Sequence, residues 1–290
     1  MIDHWLMKRL GALLWALLAC FGEVAAQDNP LQQVRLFYAQ DSQELRNFTD
    51  GLNHAGITQI THISKIRDIE CDLPGKIITF GGDASEVLIR TCPEKPIIFV
   101  ASNFYYEKLK DYLAKGSWGY FNEQPLAKQL EHADRNIPSI KTLGVLYKDN
   151  DGDLSQIMAL AKSPSRIQVK LVKVEDGQII AQALRSLYEK VDAVLVTSNQ
   201  DIWPLQDFKT YLLLGMRQGK IMIGGHNQFY TNRGVISSVN NDFEALGAQM
   251  AKELNEKNHP QVRYFRNSLI VTNQMLAARY GIYIGDKPGN

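Results

Sequence analysis

The 290 residues are 45% hydrophobic and 22% charged, a composition that supports packed interiors and excludes general disorder. The length exceeds what one ordinary core accommodates and falls short of three domains, so two lobes are expected. The 32 basic and 31 acidic residues are scattered along the chain; no one-sided positive field exists for a phosphate backbone, which argues against a nucleic-acid partner.

Lys8 and Arg9 precede a nearly uncharged run from Leu10 to Phe21, and Val24 and Ala26 stand at the third and first positions before a cleavage point. This order of basic, apolar and small residues reads as a secretory signal peptide over residues 1–26, with Gln27 opening the mature chain and the periplasm as destination. The apolar run is shorter than the ~20 residues of a spanning helix. Leu17-Leu18-Ala19-Cys20 also resembles a lipobox, which would make Cys20 a lipid-bearing N-terminus. That reading ranks second, because Leu18 is unusual at its position and a good conventional site follows. Without Cys20, Cys71 and Cys92 remain as an even pair in an oxidising compartment. A bridge closing a loop of about 20 residues would contribute roughly 3 kcal/mol. Two separate thiols are the other reading, and the sequence does not supply the Cα separation that decides.

From Val34 onward, short apolar runs alternate with helical patterns, which predicts an α/β protein with parallel sheets. A first series has strands at Val34–Ala39, Ile57–Ile63, Lys76–Phe80, Pro96–Ala101 and Trp118–Phe121, with helices at Ser42–His54 and Asp83–Thr91. Gly56 closes the first helix. A second series has strands at Thr142–Tyr147, Gln168–Val174, Val191–Thr197, Ile221–Gly225 and Val235–Val239. Its helices are expected at Leu154–Lys162, Gln178–Lys190 and Leu205–Gln218. A helix over Asp242–Lys257, strands at Arg263–Arg266 and Leu269–Val271, and a helix over Gln274–Tyr280 end the chain. No Pro- or Gly-rich tether separates the two series, so several close crossings and a hinge are expected.

Ligands of open parallel sheets collect beyond the carboxyl ends of the strands. The polar residues there are Gln40 and Asp41, then Gly82, Asp83 and Ser85, then Ser102 and Asn103. In the second series they are Ser198 and Asn199, His226 after a glycine pair, and Asn240 and Asp242 after the strand at Val235. Gly81-Gly82-Asp83-Ala84-Ser85-Glu86 suits either close approach of a ligand to a helix start or a capping box with Asp83 as N-cap. Tyr105, Tyr106 and Trp203 are aromatic candidates for the cleft, with inter-lobe packing as the alternative.

Several chemistries lack their residues. Asp149, Asp151 and Asp153 suggest a calcium loop, but Leu154 and Leu160 stand where its glycine and glutamate belong, leaving a surface turn. The 6 histidines have no zinc spacing. There is no nucleophile elbow, phosphate loop or acid–base constellation, so neither catalysis nor a cofactor is expected.

Phe48-Thr49-Asp50-Gly51-Leu52 with Ala55-Gly56, Ile77 to Ala84, and Ile140 to Tyr147 carry a resemblance, as do Asn241 to Ala251, Leu269 to Asn273 and Ala277 to Ile284. On these segments the chain resembles the ABC-transporter substrate-binding family of the type I periplasmic fold, whose characterised members include aromatic amino acid binders. Ser102-Asn103-Phe104 replaces the Asp-Pro usual after the fourth strand, and Ser117-Trp118-Gly119 stands in for an Asn-x-Thr-Gly. The resemblance implies interleaved lobes, residues 31–121 with 241–262 and residues 122–240 with 263–290. It also implies a monomer that closes on a small organic ligand, an amino acid or aromatic compound, and presents it to a permease. A sensory module signalling to a membrane kinase or cyclase is the alternative.

Overall fold

The computed structural model describes residues 33–64, 69–72, 74–225, 228–256 and 258–284, without the side chains of Gln228 and Phe229. The signal-peptide and lipobox readings, and His226, lie outside the described residues.

The first lobe is a parallel sheet of β1 (Gln33–Tyr38), β2 (Gln59–Ile63), β3 (Lys76–Phe80), β4 (Ile98–Ala101), β5 (Trp118–Phe121) and the short β11 (Val262–Arg263), in the order β11-β5-β4-β3-β1-β2. The second is a four-stranded parallel sheet of β6 (Thr142–Tyr147), β7 (Gln168–Lys173), β8 (Ala193–Val196) and β9 (Ile221–Gly224), in the order β7-β6-β8-β9. The central strands β4 and β8 are buried throughout, as expected where helices cover both faces of a parallel sheet. At the edge, β2 is largely exposed.

Helix α1 (Gln43–His54) starts where the Ser42 hydroxyl accepts from the Leu45 N–H. It ends as expected at Gly56, whose φ of 96° lets the Gly56 and Ile57 N–H groups reach the Asn53 and Leu52 carbonyls. Helix α2 (Gly82–Thr91) departs from expectation in its cap, which is Gly81 rather than Asp83. Gly81 has φ of 97°, a conformation that glycine adopts without strain. Two helices appear where none is expected. Helix α3 (Asn103–Leu109) follows β4, and α4 (Leu126–Asn136) follows Pro125. Helix α4 buries Leu126, Leu130 and Ala133, three positions of one helical face, in the second lobe's core. Helices α5 (Leu154–Leu160), α6 (Ile180–Tyr188), α7 (Phe208–Arg217) and α8 (Gln228–Arg233) complete that lobe's central part.

The strand expected at Val235–Val239 is shifted to β10 (Ser237–Asn241), and its pairing differs. After one contact with β9, from the Ile236 N–H to the Met222 carbonyl at 2.8 Å, the chain leaves the parallel sheet. It then pairs antiparallel with β12 (Ser268–Thr272). Asn240 therefore lies inside a strand and not in a loop. Helix α9 (Phe243–Glu253) returns to the first lobe, where Phe243, Leu246 and Met250 share a core with Phe48, Leu52 and Phe265. Helix α10 (Gln274–Arg279) contributes Ala277 to the second lobe's core.

Three segments cross between the lobes, following β5, β10 and β11, and buried side-chain amides stitch them together. Gln124 Nε2 donates to Asn241 Oδ1 and to the Phe265 carbonyl (3.0 Å), and Asn241 Nδ2 donates to the Phe121 carbonyl at 2.8 Å. Gln129 both donates to the Val239 carbonyl and accepts from its N–H, at 2.7 and 2.8 Å. Cys71 and Cys92 form a disulfide that ties residues 69–72 to the end of α2.

Helices α1 and α9 cross at glycines. A Cβ at Gly247 would lie 2.1 Å from the Phe48 carbonyl oxygen, and one at Gly51 would lie 2.0 Å from that of Glu244. Backbone cannot step aside as a rotamer can, so the clash outweighs the roughly 1 kcal/mol of helix propensity that alanine brings. Gly247→Ala is expected to cost about 2 kcal/mol, read as a lower midpoint in urea unfolding with an unchanged slope.

Candidate functional site

The carboxyl ends of β4 and β5 in one lobe meet those of β6 and β8 in the other, and the seam between them is polar and buried. Asp151 and Asp153, in the loop after β6, are 7% and 1% exposed. This corrects the surface turn expected there. The loop is pressed against α3 so closely that a Cβ on Gly152 would lie 2.8 Å from Glu107 Cγ and 3.2 Å from the Asn103 carbonyl oxygen.

Three neutral donors hold Asp153. Asn103 Nδ2 from the first lobe approaches Oδ1 at 2.7 Å, Gln156 Nε2 approaches the same oxygen at 3.0 Å, and the Ser198 hydroxyl donates to Oδ2 at 2.8 Å. Asn199 Nδ2 donates to Asp151 Oδ2 at 3.0 Å. Glu123, at the start of the first crossing, accepts the Asn103 backbone N–H on Oε1 at 2.6 Å and is 4% exposed. Gln156 also reaches Tyr264 Oη at 2.5 Å, and the Tyr264 ring packs on Phe121 with centroids 4.6 Å apart.

Of the residues the sequence singled out, Ser102, Asn103, Ser198 and Asn199 meet in this seam. Asn240 joins them through an antiparallel bridge to Glu123. The others stand elsewhere or are engaged locally. Gln40 and Asp41 are exposed, and Asp41 pairs with Arg46 at 2.7 Å. Gly82 lies under the Tyr105 ring, where a Cβ would come within 2.0 Å. Asp83 is exposed and accepts from the Tyr105 hydroxyl, while Ser85 Oγ is held by Thr79 Oγ1 (2.8 Å) and the Gly81 carbonyl (3.0 Å). Asp242 caps α9 by accepting from the Ala245 N–H at 3.0 Å. Trp203 is part of the second lobe's core. Sequence reasoning missed Glu123, Asp151, Asp153, Gln156 and Tyr264. The aspartates carried a usable signal, since they follow a strand at its carboxyl end.

Burial pushes all three seam carboxyl groups upward. Glu123 is raised well above the ordinary range by desolvation and then by the neighbouring Asp153 charge, against the opposing Asn103 N–H. Asp153 and Asp151 are raised chiefly by desolvation, against the donors that bind them. Tyr264 is raised by its burial and by the nearby Glu123 and Asp153 charges. The seam is thus an acceptor-rich patch in a low-dielectric setting, suited to bind a donor or a cation. Two surface cavities, of about 290 and 300 Å³, lie away from it, around Trp118 and His259 and around Met216 and Met275. Among the described residues, no group of histidine, cysteine and acidic side chains could hold a metal ion, and no helix is long and apolar enough to cross a membrane.

With two parallel-sheet lobes, a stitched hinge and a buried polar seam, the chain has the architecture of the type I periplasmic binding proteins. A family model described as ABC transporter substrate binding protein matches residues 43–286, and the chain belongs to that family. No curated protein matches the sequence. A Streptococcus pneumoniae ABC domain solved in complex with L-Trp is similar, with 18% identity, TM-score 0.60, and coverage of 88% of this chain and 96% of that one. A ligand-free, open substrate binding protein with adhesive properties from Clostridium difficile has 14% identity and TM-score 0.61, over 88% of this chain and 97% of that one. A conserved domain protein from Vibrio cholerae has 16% identity and TM-score 0.59, over 88% and 96%. The protein is a solute-binding component for an ABC transporter.

The raised carboxyl groups fix the sign of one pH dependence. The folded protein holds their protons more tightly than the unfolded chain does. The stability they contribute is full below their unfolded values, near 4, and is lost as pH rises through the folded values. Thermal stability is expected to rise as pH is lowered from 8 towards 5. Glu123→Gln, which keeps the shape and removes the charge, should flatten that slope; an unchanged slope in differential scanning calorimetry would place the titration elsewhere.

Proposed function

We propose that the protein is exported to the periplasm, loses residues 1–26, and works as a monomeric, non-catalytic carrier that captures a small organic solute between its lobes for a membrane permease. The moving units in this reading are residues 31–121 with 241–262, and residues 122–240 with 263–290. The observation that carries it is the direct hydrogen bonding of Asn103 in the first lobe to Asp153 in the second, at 2.7 Å. Polar groups from two lobes converge on one buried seam, so a ligand that satisfies both sides favours their approach by its differential affinity for the closed arrangement. Ser102, Asn103, Glu123, Asp151, Asp153, Ser198, Asn199 and Asn240 are the contact residues in this reading. The pneumococcal neighbour's L-Trp makes amino acids the first compounds to try.

The test is a thermal-shift screen of the mature protein, unfolded and refolded to strip any bound solute, against amino acids, amines, nucleosides and short sugars. A ligand at a hundred times its dissociation constant adds about 2.7 kcal/mol. Asn103→Ala and Asn199→Ala, each removing one hydrogen bond from opposite sides of the seam, are expected to weaken the hit by roughly 5- to 10-fold. A hit indifferent to both substitutions would move the site out of the seam.

A further inference from the structure

The seam carboxylates have no cationic partner. Among the described residues, no Lys, Arg or His side chain forms an ion pair with Glu123, Asp151 or Asp153. The acidic side chain facing them from α3, Glu107, adds charge of the same sign. Buried carboxylates are ordinarily paired or coordinated, because an unpaired one loses its hydration without return.

A second observation is independent of the charges. Glu123 Oε2 has no hydrogen-bond partner among the described residues. Across the bridge from it, Asn240 is 2% exposed, and neither its Oδ1 nor its Nδ2 has a partner. Residues opposite each other in an antiparallel pair project to the same side, so these groups are aimed at one region. Ser102 Oγ and Thr197 Oγ1, each next in the chain to a residue that binds a seam carboxylate, are also buried and unpartnered. Native proteins leave few such atoms unsatisfied. Their concentration at the meeting of both lobes and the hinge marks where an additional donor belongs. Beside it lies the Tyr264 ring, linked to Asp153 through Gln156.

We propose that this seam, taken as the solute site of the preceding reading, selects ligands that carry a protonated amine, with the ammonium group seated between Glu123 and Asp153, donating to both and to Asn240 Oδ1, and with the Asp151 charge close by. An ammonium offers three donors and no acceptor, the complement of a cluster of carboxylate oxygens that each accept twice. Among the described residues, no group of three or more acidic, histidine or cysteine side chains could hold a bare metal ion. A ligand recognised mainly through its own carboxylate would bring a further negative charge into the seam.

Two matched series isolate charge from size. One is tryptamine, L-tryptophan, indole-3-ethanol and indole-3-propionate; the other is 1,5-diaminopentane, 1,5-pentanediol and glutarate. Titration calorimetry on the refolded mature protein is expected to show binding by ammonium-bearing members of at least one series. Their neutral and anionic counterparts should bind at least tenfold more weakly. Glu123→Gln and Asp153→Asn should each reduce ammonium affinity at least tenfold, and Asp151→Asn provides the same test should either variant fail to fold. If neutral or anionic members bind as tightly, and Asn199→Ala weakens them, the cation preference is overturned while the solute-binding reading stands. The preference is equally overturned if no ammonium compound binds, or if calcium or magnesium ions alone stabilise the protein to the same degree. Binding indifferent to every seam substitution would overturn both readings together.

Discussion

Glu123, at the start of the first crossing, and Asp153, in the second lobe, are brought out of water in one seam, and much of the molecule is arranged around that unfavourable juxtaposition. Two carboxylates in a low-dielectric contact repel each other and lose hydration, so each needs donors that do not themselves cost a buried charge. The chain supplies neutral ones. Asn103 contributes a backbone N–H to Glu123 and a side-chain amide to Asp153, Ser198 a hydroxyl, and Gln156 an amide shared with Tyr264. One residue, Asn103, thus reports on both carboxylates at once.

The junction between the lobes is built from polar contacts. The three crossings are tied by hydrogen bonds among Gln124, Asn241 and backbone carbonyls. Each lobe keeps its own apolar core, with Leu143, Val145 and Leu195 in one and Leu36, Ile78 and Val100 in the other. Arg263 anchors the third crossing to the first lobe by pairing with Glu253 and donating to the Tyr120 hydroxyl at 2.6 Å.

The fold was largely legible because strand and helix periods are local properties. β3, β5 and β6 begin and end at the residues that the apolar runs predict. What stayed hidden depended on non-local geometry. Leu126 to Asn136 carries a helical face, Leu126, Leu130 and Ala133, whose packing partners lie further along the chain in the second lobe's core. β10 has the composition of another parallel strand, and only its partner β12, some 30 residues on, reveals the antiparallel turn to the hinge. In the site, neutral residues at strand ends were readable because the fold class assigns them a place. Asp151 and Asp153 match no calcium loop and so read as a surface turn, while the contact that Asn103 brings to Asp153 from the facing lobe belongs to no local pattern. Glu123 lies beyond a strand end, in a crossing whose path no local pattern dictates.

The crossing of α1 on α9, glycine against backbone, joins residues near the two ends of the chain. A ribosome makes α1 early and α9 late, so Phe48 and Leu52 wait without Leu246 and Met250 while the whole of the middle is synthesised. The second lobe's central strands, β6 to β9, are contiguous and can pair as they emerge, whereas the first lobe cannot finish until the chain has passed Glu253. The half of the protein encoded first is therefore completed last.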